Sequence, residues 1–149
     1  MDSSQIAKLR GETGAGVMDC KRALDQAHGD YQQAQKLLSE NAATIAKKKA
    51  QRATKHGLID SYVHTGKIGV LVEVLCESDF VAKNDDFKKM VHQLALQIAS
   101  MNPKDVDELL AQDYIADPSM KVSDFLNSLI GKIQENIKIN RFVRMELGE

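Results

Sequence analysis

Two cysteines, four histidines and a scatter of carboxylates are the side chains of this chain with most scope for chemistry. A cysteine nucleophile needs a base within hydrogen-bond reach and a group that orients the base. Cys76, with His64 and Asp79 nearby in the chain, supplies those residue types. Against this, Cys76 ends an apolar run, where a thiol is more commonly inert packing. Cys20 falls on the apolar side of a predicted helix and reads as packing too. Zinc requires four ligands in a closed site, or three with an open position. His28, His56, His64, His92 and the two cysteines form neither a Cys-x-x-Cys pair nor a histidine pair at i, i+4. Thr65-Gly66-Lys67 matches the tail of the phosphate-binding pattern G-x-x-x-x-G-K-[ST]. The earlier glycine is replaced by Ser61, and the residue after the lysine is Ile68, which cannot hold magnesium. A hairpin turn accounts for Gly66 better. These residues indicate no enzyme, no metal, no cofactor and no nucleotide bound by the chain itself.

Two segments remain. Lys47, Lys48, Lys49, Arg52 and Lys55 form a basic run with no aromatic residue between them. That reads as a solvated connector rather than an RNA-binding strip, so nucleic acid is not an expected partner. Glu77-Ser78-Asp79-Phe80-Val81-Ala82-Lys83-Asn84 sets acidic residues beside a large aromatic in a connection. In one reading Phe80 tucks back into the core while Ser78 or Asp79 caps a helical turn. In the other, Asp79 and Phe80 project as a wedge for a partner. The residues by themselves leave both open.

The elements that must position these segments can be read from periodicity. Residues 1–41 predict a three-helix module. Ile6 and Leu9 belong to the first helix, behind caps at Ser3 or Ser4; Val17, Cys20, Leu24 and Ala27 share one face of the second. Asp30 caps the third, whose apolar side is Ala34, Leu37 and Leu38. Residues 42–56 read as an exposed basic connector, helical or fraying. Residues 57–149 predict an α+β core. It starts with a hairpin turning at Thr65-Gly66, with Ile68, Val70, Leu71, Val72 and Val74 on the return strand. Asn84 caps a long helix with Phe87, Val91, Leu94, Ile98 and Met101 on one face. A short helix at 105–112 follows, then one capped by Ser123. Ile137 to Leu147 closes the domain with strand alternation, interrupted by Arg141. The expectation is an antiparallel three-stranded sheet with helices on one face.

Composition agrees. Hydrophobic residues make up 43% and charged residues 28% of 149, the balance of a globular chain rather than a disordered one. No run of about 18 apolar residues predicts a membrane span. Met1-Asp2-Ser3-Ser4-Gln5 has neither the basic flank nor the apolar core of a secretory leader. Two cysteines are too few for a disulfide framework, so a reducing cytoplasm or organelle interior is the expected setting. A net charge of −1 points to a protein partner rather than to bulk nucleic-acid binding.

Three stretches carry a resemblance. Leu9-Arg10-Gly11-Glu12-Thr13-Gly14-Ala15-Gly16-Val17-Met18-Asp19-Cys20-Lys21-Arg22-Ala23-Leu24, continued by His28-Gly29-Asp30, closely resembles the N-terminal signature of the elongation factor Ts family. Glu73-Val74-Leu75-Cys76-Glu77-Ser78-Asp79-Phe80-Val81-Ala82-Lys83 is similar to its second signature. Gly131-Lys132-Ile133-Gln134-Glu135-Asn136-Ile137 is similar to its segment before a core strand. The resemblance covers nearly the whole chain.

It implies a guanine-nucleotide exchange factor of translation elongation, without covalent chemistry. The three-helix module resembles the ubiquitin-associated type, which in this family docks on the G domain of elongation factor Tu. Arg10, Val17, Met18 and Lys21 match the contact positions. Asp79, Phe80 and Val81 match the segment that pushes between G-domain helices, disturbs the magnesium site and releases GDP. Departures are Val17-Met18 for the usual Met-Met, Ser78 for Thr before the Asp-Phe pair, and Leu75 for Asn before the cysteine. With one core unit, the chain resembles the short form of the family, in which homodimerisation supplies missing contacts. The alternative is an interaction module for another GTPase or for RNA.

Overall fold

The computed structural model describes residues 3–149. Met1 and Asp2, which belong to the stretch read for a leader and to the expected module 1–41, lie outside the described residues. The order is α1 (Ser3–Thr13), α2 (Val17–Gln26), α3 (Tyr31–Lys49), β1 (His56–His64), β2 (Ile68–Cys76), α4 (Asp79–Ala82), α5 (Asp85–Met101), α6 (Val106–Ala111), α7 (Val122–Ile133) and β3 (Ile137–Glu146).

The first three helices close a small core of Leu9, Cys20, Leu24, Ala34 and Leu38. Asp30 caps α3 as expected, its carboxylate accepting the Gln33 N–H at 3.0 Å. Val17 departs from expectation. It opens α2 one turn before Cys20, beyond the reach of the small core, and is exposed. Helix α3 runs on to Lys49, through the first part of the stretch expected as a helical or fraying connector. Its first half completes the small core, and Ile45 and Ala46 pack against the larger one. The approach of α3 to α7 is close because both surfaces are small: a Cβ on Gly131 would stand 3.4 Å from Ala42 Cβ. Lys47, Lys48 and Lys49 fill the last turn of α3, where cations complement the helix dipole.

The sheet is antiparallel in the order β1-β2-β3. Thr65 and Gly66, at φ 52 and 70, make the turn between β1 and β2. Left-handed φ at both positions suits a tight hairpin, and glycine adopts it without strain. Central β2 points Val70, Val72, Val74 and Cys76 inward. Against that face α5 buries Phe87, Val91, Leu94 and Ile98. Met101, expected on the same face, ends the helix exposed. Asn84 caps α5, accepting from Asp86 N (2.9 Å) and Phe87 N (3.2 Å).

Two local expectations are corrected. Helix α7 begins at the fully buried Val122, so Ser123 lies inside its first turn rather than at the cap. Its end is instead held by Asp124, whose carboxylate accepts the Lys121 N–H at 3.0 Å. Strand β3 does not keep its odd positions on one face. The register shifts between Glu73 and Val74, pairing Glu73 with Arg141 but Val74 with Ile139. The extra residue reverses the alternation. Ile137 and Ile139 therefore face the core, while Arg141, Val143 and Met145 face outward. They join Ile59, Val63 and Leu71 on a sheet face that, among the described residues, no helix covers.

Candidate partner-binding site

Strand β2 ends at Cys76 and the chain enters the one-turn helix α4 through Glu77 and Ser78. Ser78 has extended backbone, and its hydroxyl caps the turn by accepting the Val81 N–H at 3.2 Å. Val81 and Ala82 are buried in the main core and fix which side of the turn faces inward. The two residues on the other side are thereby pushed out. Phe80 is 85% exposed. It does not tuck back into the core, and a large ring so open to water is a candidate contact rather than packing. Asp79 is exposed beside it and is held by Lys83 at 2.8 Å. The Lys83 ammonium, through hydrogen bond and charge, holds the Asp79 carboxyl below its usual range, and Asp79 raises Lys83 in return. The pair stays charged and accessible.

The N-terminal candidates occupy the end of α1 and the start of α2. Arg10 lies in the last turn of α1, and its carbonyl accepts the Gly14 N–H at 2.8 Å. Val17, Met18 and Lys21 are exposed on α2, Met18 to 61%. The α1–α2 turn that aims them is locked by Thr13, whose hydroxyl donates to Leu9 O at 2.6 Å and accepts from Ala15 N at 3.3 Å. This turn lies against α7. Lys132 of α7 passes 3.6 Å from where a Gly14 Cβ would stand, and its ammonium bonds Asp86 at 2.8 Å. Asp86 lies in the first turn of α5, just past the α4 turn. The α1–α2 turn and the start of α5 therefore meet at Lys132.

The remaining candidates are kept apart. Cys76 pairs with His56 across the ladder, whereas His64 stands eight residues further along β1. At the rise of an extended strand that is roughly 26 Å, so the two cannot share a proton. Burial, then Glu135, pushes the Cys76 thiol up to about 11, and the thiol donates to Ser78 O at 3.2 Å. Among the described residues no group of three or more His, Cys, Asp or Glu is placed to hold a metal ion. Among the same residues no helix is long and apolar enough to cross a membrane.

One residue that composition and spacing do not single out sits directly under the α4 turn. Glu135 accepts hydrogen bonds from the backbone N–H of Glu77 and Ser78 and from the Ser78 hydroxyl. It comes from the far side of the chain, between α7 and β3. No local pattern connects positions so far apart, so only its place in a recognised segment could have drawn attention to it.

The family model described as Elongation factor TS matches residues 77–149. Similarity to individual proteins extends further. Elongation factor Ts of Thermotoga neapolitana is 42% identical, covering 97% of this chain and 95% of that protein. Elongation factor Ts of Thermoanaerobacter pseudethanolicus is 42% identical over 100% of this chain and 96% of its own length. That of Coprothermobacter proteolyticus is 39% identical, with 100% and 99% covered. The Thermotoga alignment runs over 188 positions, more than the 149 residues here, so that relative carries internal residues without a counterpart in this chain.

Proposed function

The chain belongs to the elongation factor Ts family, and from that premise we propose that it is a guanine-nucleotide exchange factor acting on elongation factor Tu in the cytoplasm. It binds the GDP form, disturbs the magnesium and phosphate site, and promotes GDP release. It performs no covalent chemistry. The observation that carries the mechanism is Phe80, fully presented on a turn whose neighbours Val81 and Ala82 are anchored in the core. Exchange requires the factor to favour one state of its partner, because equal affinity for both shifts nothing. A ring that finds an apolar slot only in the open state supplies such a difference. Asp79, already ionised, competes for the hydrogen bonds that order the magnesium site, where the ion neutralises phosphate oxygens. Val81 holds the turn from below.

Arg10, Val17, Met18 and Lys21 dock the factor on the G domain. Met18 is a flexible apolar anchor, and Arg10 and Lys21 are charged contacts around it. The uncovered sheet face takes a second copy of the chain. Ile59, Val63, Leu71, Val143 and Met145 form an apolar surface there, with Arg141 bonded to Glu73 at 2.8 Å among them. In a two-fold dimer the same patch of each copy meets the other, so one such face is enough.

The test is release of a fluorescent GDP analogue from elongation factor Tu with increasing amounts of the chain. Acceleration by the wild type that Phe80→Ala largely loses is the expected result. No acceleration at any concentration would refute the exchange activity.

A further inference from the structure

An exposed phenylalanine serves a partner only if it stays out. On a slack connection the ring would fold onto nearby apolar surface and leave water. Here the turn below it is clasped by the segment between α7 and β3. Glu135 Oε1 accepts the N–H of Glu77 at 3.1 Å and of Ser78 at 3.0 Å, and Oε2 accepts the Ser78 hydroxyl at 2.6 Å. The same Ser78 oxygen accepts the Val81 N–H that starts α4. One carboxylate therefore sets both the backbone entering the turn and the hydroxyl that caps it. The clasp is reciprocal, since Glu77 Oε2 accepts the Asn136 N–H at 2.9 Å. Asn136 is itself tied to the chain just past α3, donating through Nδ2 to Arg52 O at 2.8 Å and Ala50 O at 3.4 Å. These bonds lie just past Cys76–Ile137, the last rung of the β2–β3 ladder.

We propose that Glu135 is a positioning residue for nucleotide exchange, holding the Ser78 turn so that Asp79 and Phe80 are presented ready-made to the partner. The proposal rests on the wedge role of Phe80 given above. The residue type follows from the donors it meets. Two N–H groups and one hydroxyl converge on two oxygens, and only a carboxylate offers acceptors on both. Glutamine keeps one acceptor oxygen and turns the other position into a donor. Charge-assisted bonds of this kind are also the strong ones. Without the clasp, the partner would have to order the turn as it binds, and the cost of that ordering is subtracted from the exchange step.

A kinetic double-mutant cycle tests this. The plateau rate of GDP release and the half-saturating concentration are measured for wild type, Glu135→Ala, Phe80→Ala and the double variant, with elongation factor Tu carrying a fluorescent GDP analogue. The expected result is a plateau about tenfold lower for Glu135→Ala in the wild-type background. In the Phe80→Ala background the same change lowers it by less than about twofold, because the ring it positions is gone. Glu135→Gln falls between wild type and alanine. If Glu135→Ala melts below the assay temperature, Glu135→Gln carries the same cycle with a smaller loss. A loss equal in both backgrounds, or no loss, overturns the positioning role alone. Full-rate exchange by Phe80→Ala removes the wedge reading and this proposal with it, a result visible before Glu135 is touched.

Discussion

Truncating Phe80 to alanine should separate function from stability. The ring is 85% exposed, so the folded state loses almost no buried surface when it is removed. Substitutions at such positions stay within about 0.5 kcal/mol. Alanine is also the better helix former in the short turn α4, so the melting temperature should stay level or rise slightly. The complex is another matter. Burying a phenylalanine side chain against a partner stabilises by about 1.5–3 kcal/mol. If that gain appears only in the open state of the partner, its loss slows exchange about 10- to 100-fold. Stopped-flow release of a fluorescent GDP analogue reads the rate, and thermal denaturation of the free chain reads stability. Phe80→Leu, which keeps much of the apolar surface, should fall between. Reciprocity adds a check without kinetics. Whatever factor Phe80 contributes to weakening GDP must also appear as weaker factor binding in the presence of GDP. Phe80→Ala should narrow the gap between affinities measured with and without GDP. A variant that exchanges at the wild-type rate, or that keeps the full gap, would refute the wedge.

Met18→Asp puts a charge at the exposed apolar centre of the α2 surface. It should raise the half-saturating concentration about tenfold and leave the plateau rate unchanged; a change in the plateau alone would contradict a docking role. Leu71→Lys with Val143→Glu charges the uncovered sheet face, and sedimentation velocity should shift from dimer to monomer with stability of the monomer retained. Wild type sedimenting as a monomer at every concentration tried would dispose of the second copy. Alkaline pH should destabilise the chain. Burial pushes the Cys76 thiol up to about 11 from an ordinary value of 9.0, and burial with the Glu12 hydrogen bond pushes Tyr31 up to about 12 from 10.0. Each folded pKa lies above its unfolded one, so the stabilisation is complete below about pH 9 and is lost as pH rises toward 11–12. For Cys76 the loss is on the order of 2 kcal/mol. Denaturant midpoints from pH 7 to 11 should fall for wild type and fall less for Cys76→Ala; parallel curves would refute the assignment.

Much of the fold was legible because its signals are local. Asp30 and Asn84 each accept backbone N–H groups two or three residues ahead, as their positions before apolar-periodic stretches suggested. The hairpin turned at Thr65-Gly66, where the residue types permit left-handed φ. The run from Ile68 to Val74 was readable as a strand from its β-branched residues. The misreadings have non-local causes. Val17 matched the helical period but lies beyond the edge of a core that other helices define. The last strand changed faces because of a bulge set by its pairing with β2, which nothing in its own alternation records.

The candidate site divides along the same line. The sequence by itself determined the caps of α3 and α5, the strand and turn positions, and the two signatures that mark the family, because each depends on residues within a few positions of one another. It left open whether Phe80 packs or projects, since an apolar ring beside a capped turn satisfies either description. Tertiary structure decided that question by assigning Val81 and Ala82 to the core and leaving the opposite side of a one-turn helix no place but solvent. It also brought Glu135 beneath Ser78 from 57 residues away. Burial and long-range hydrogen bonding are properties of surfaces that meet only when the chain is folded, and no local pattern of residues contains them.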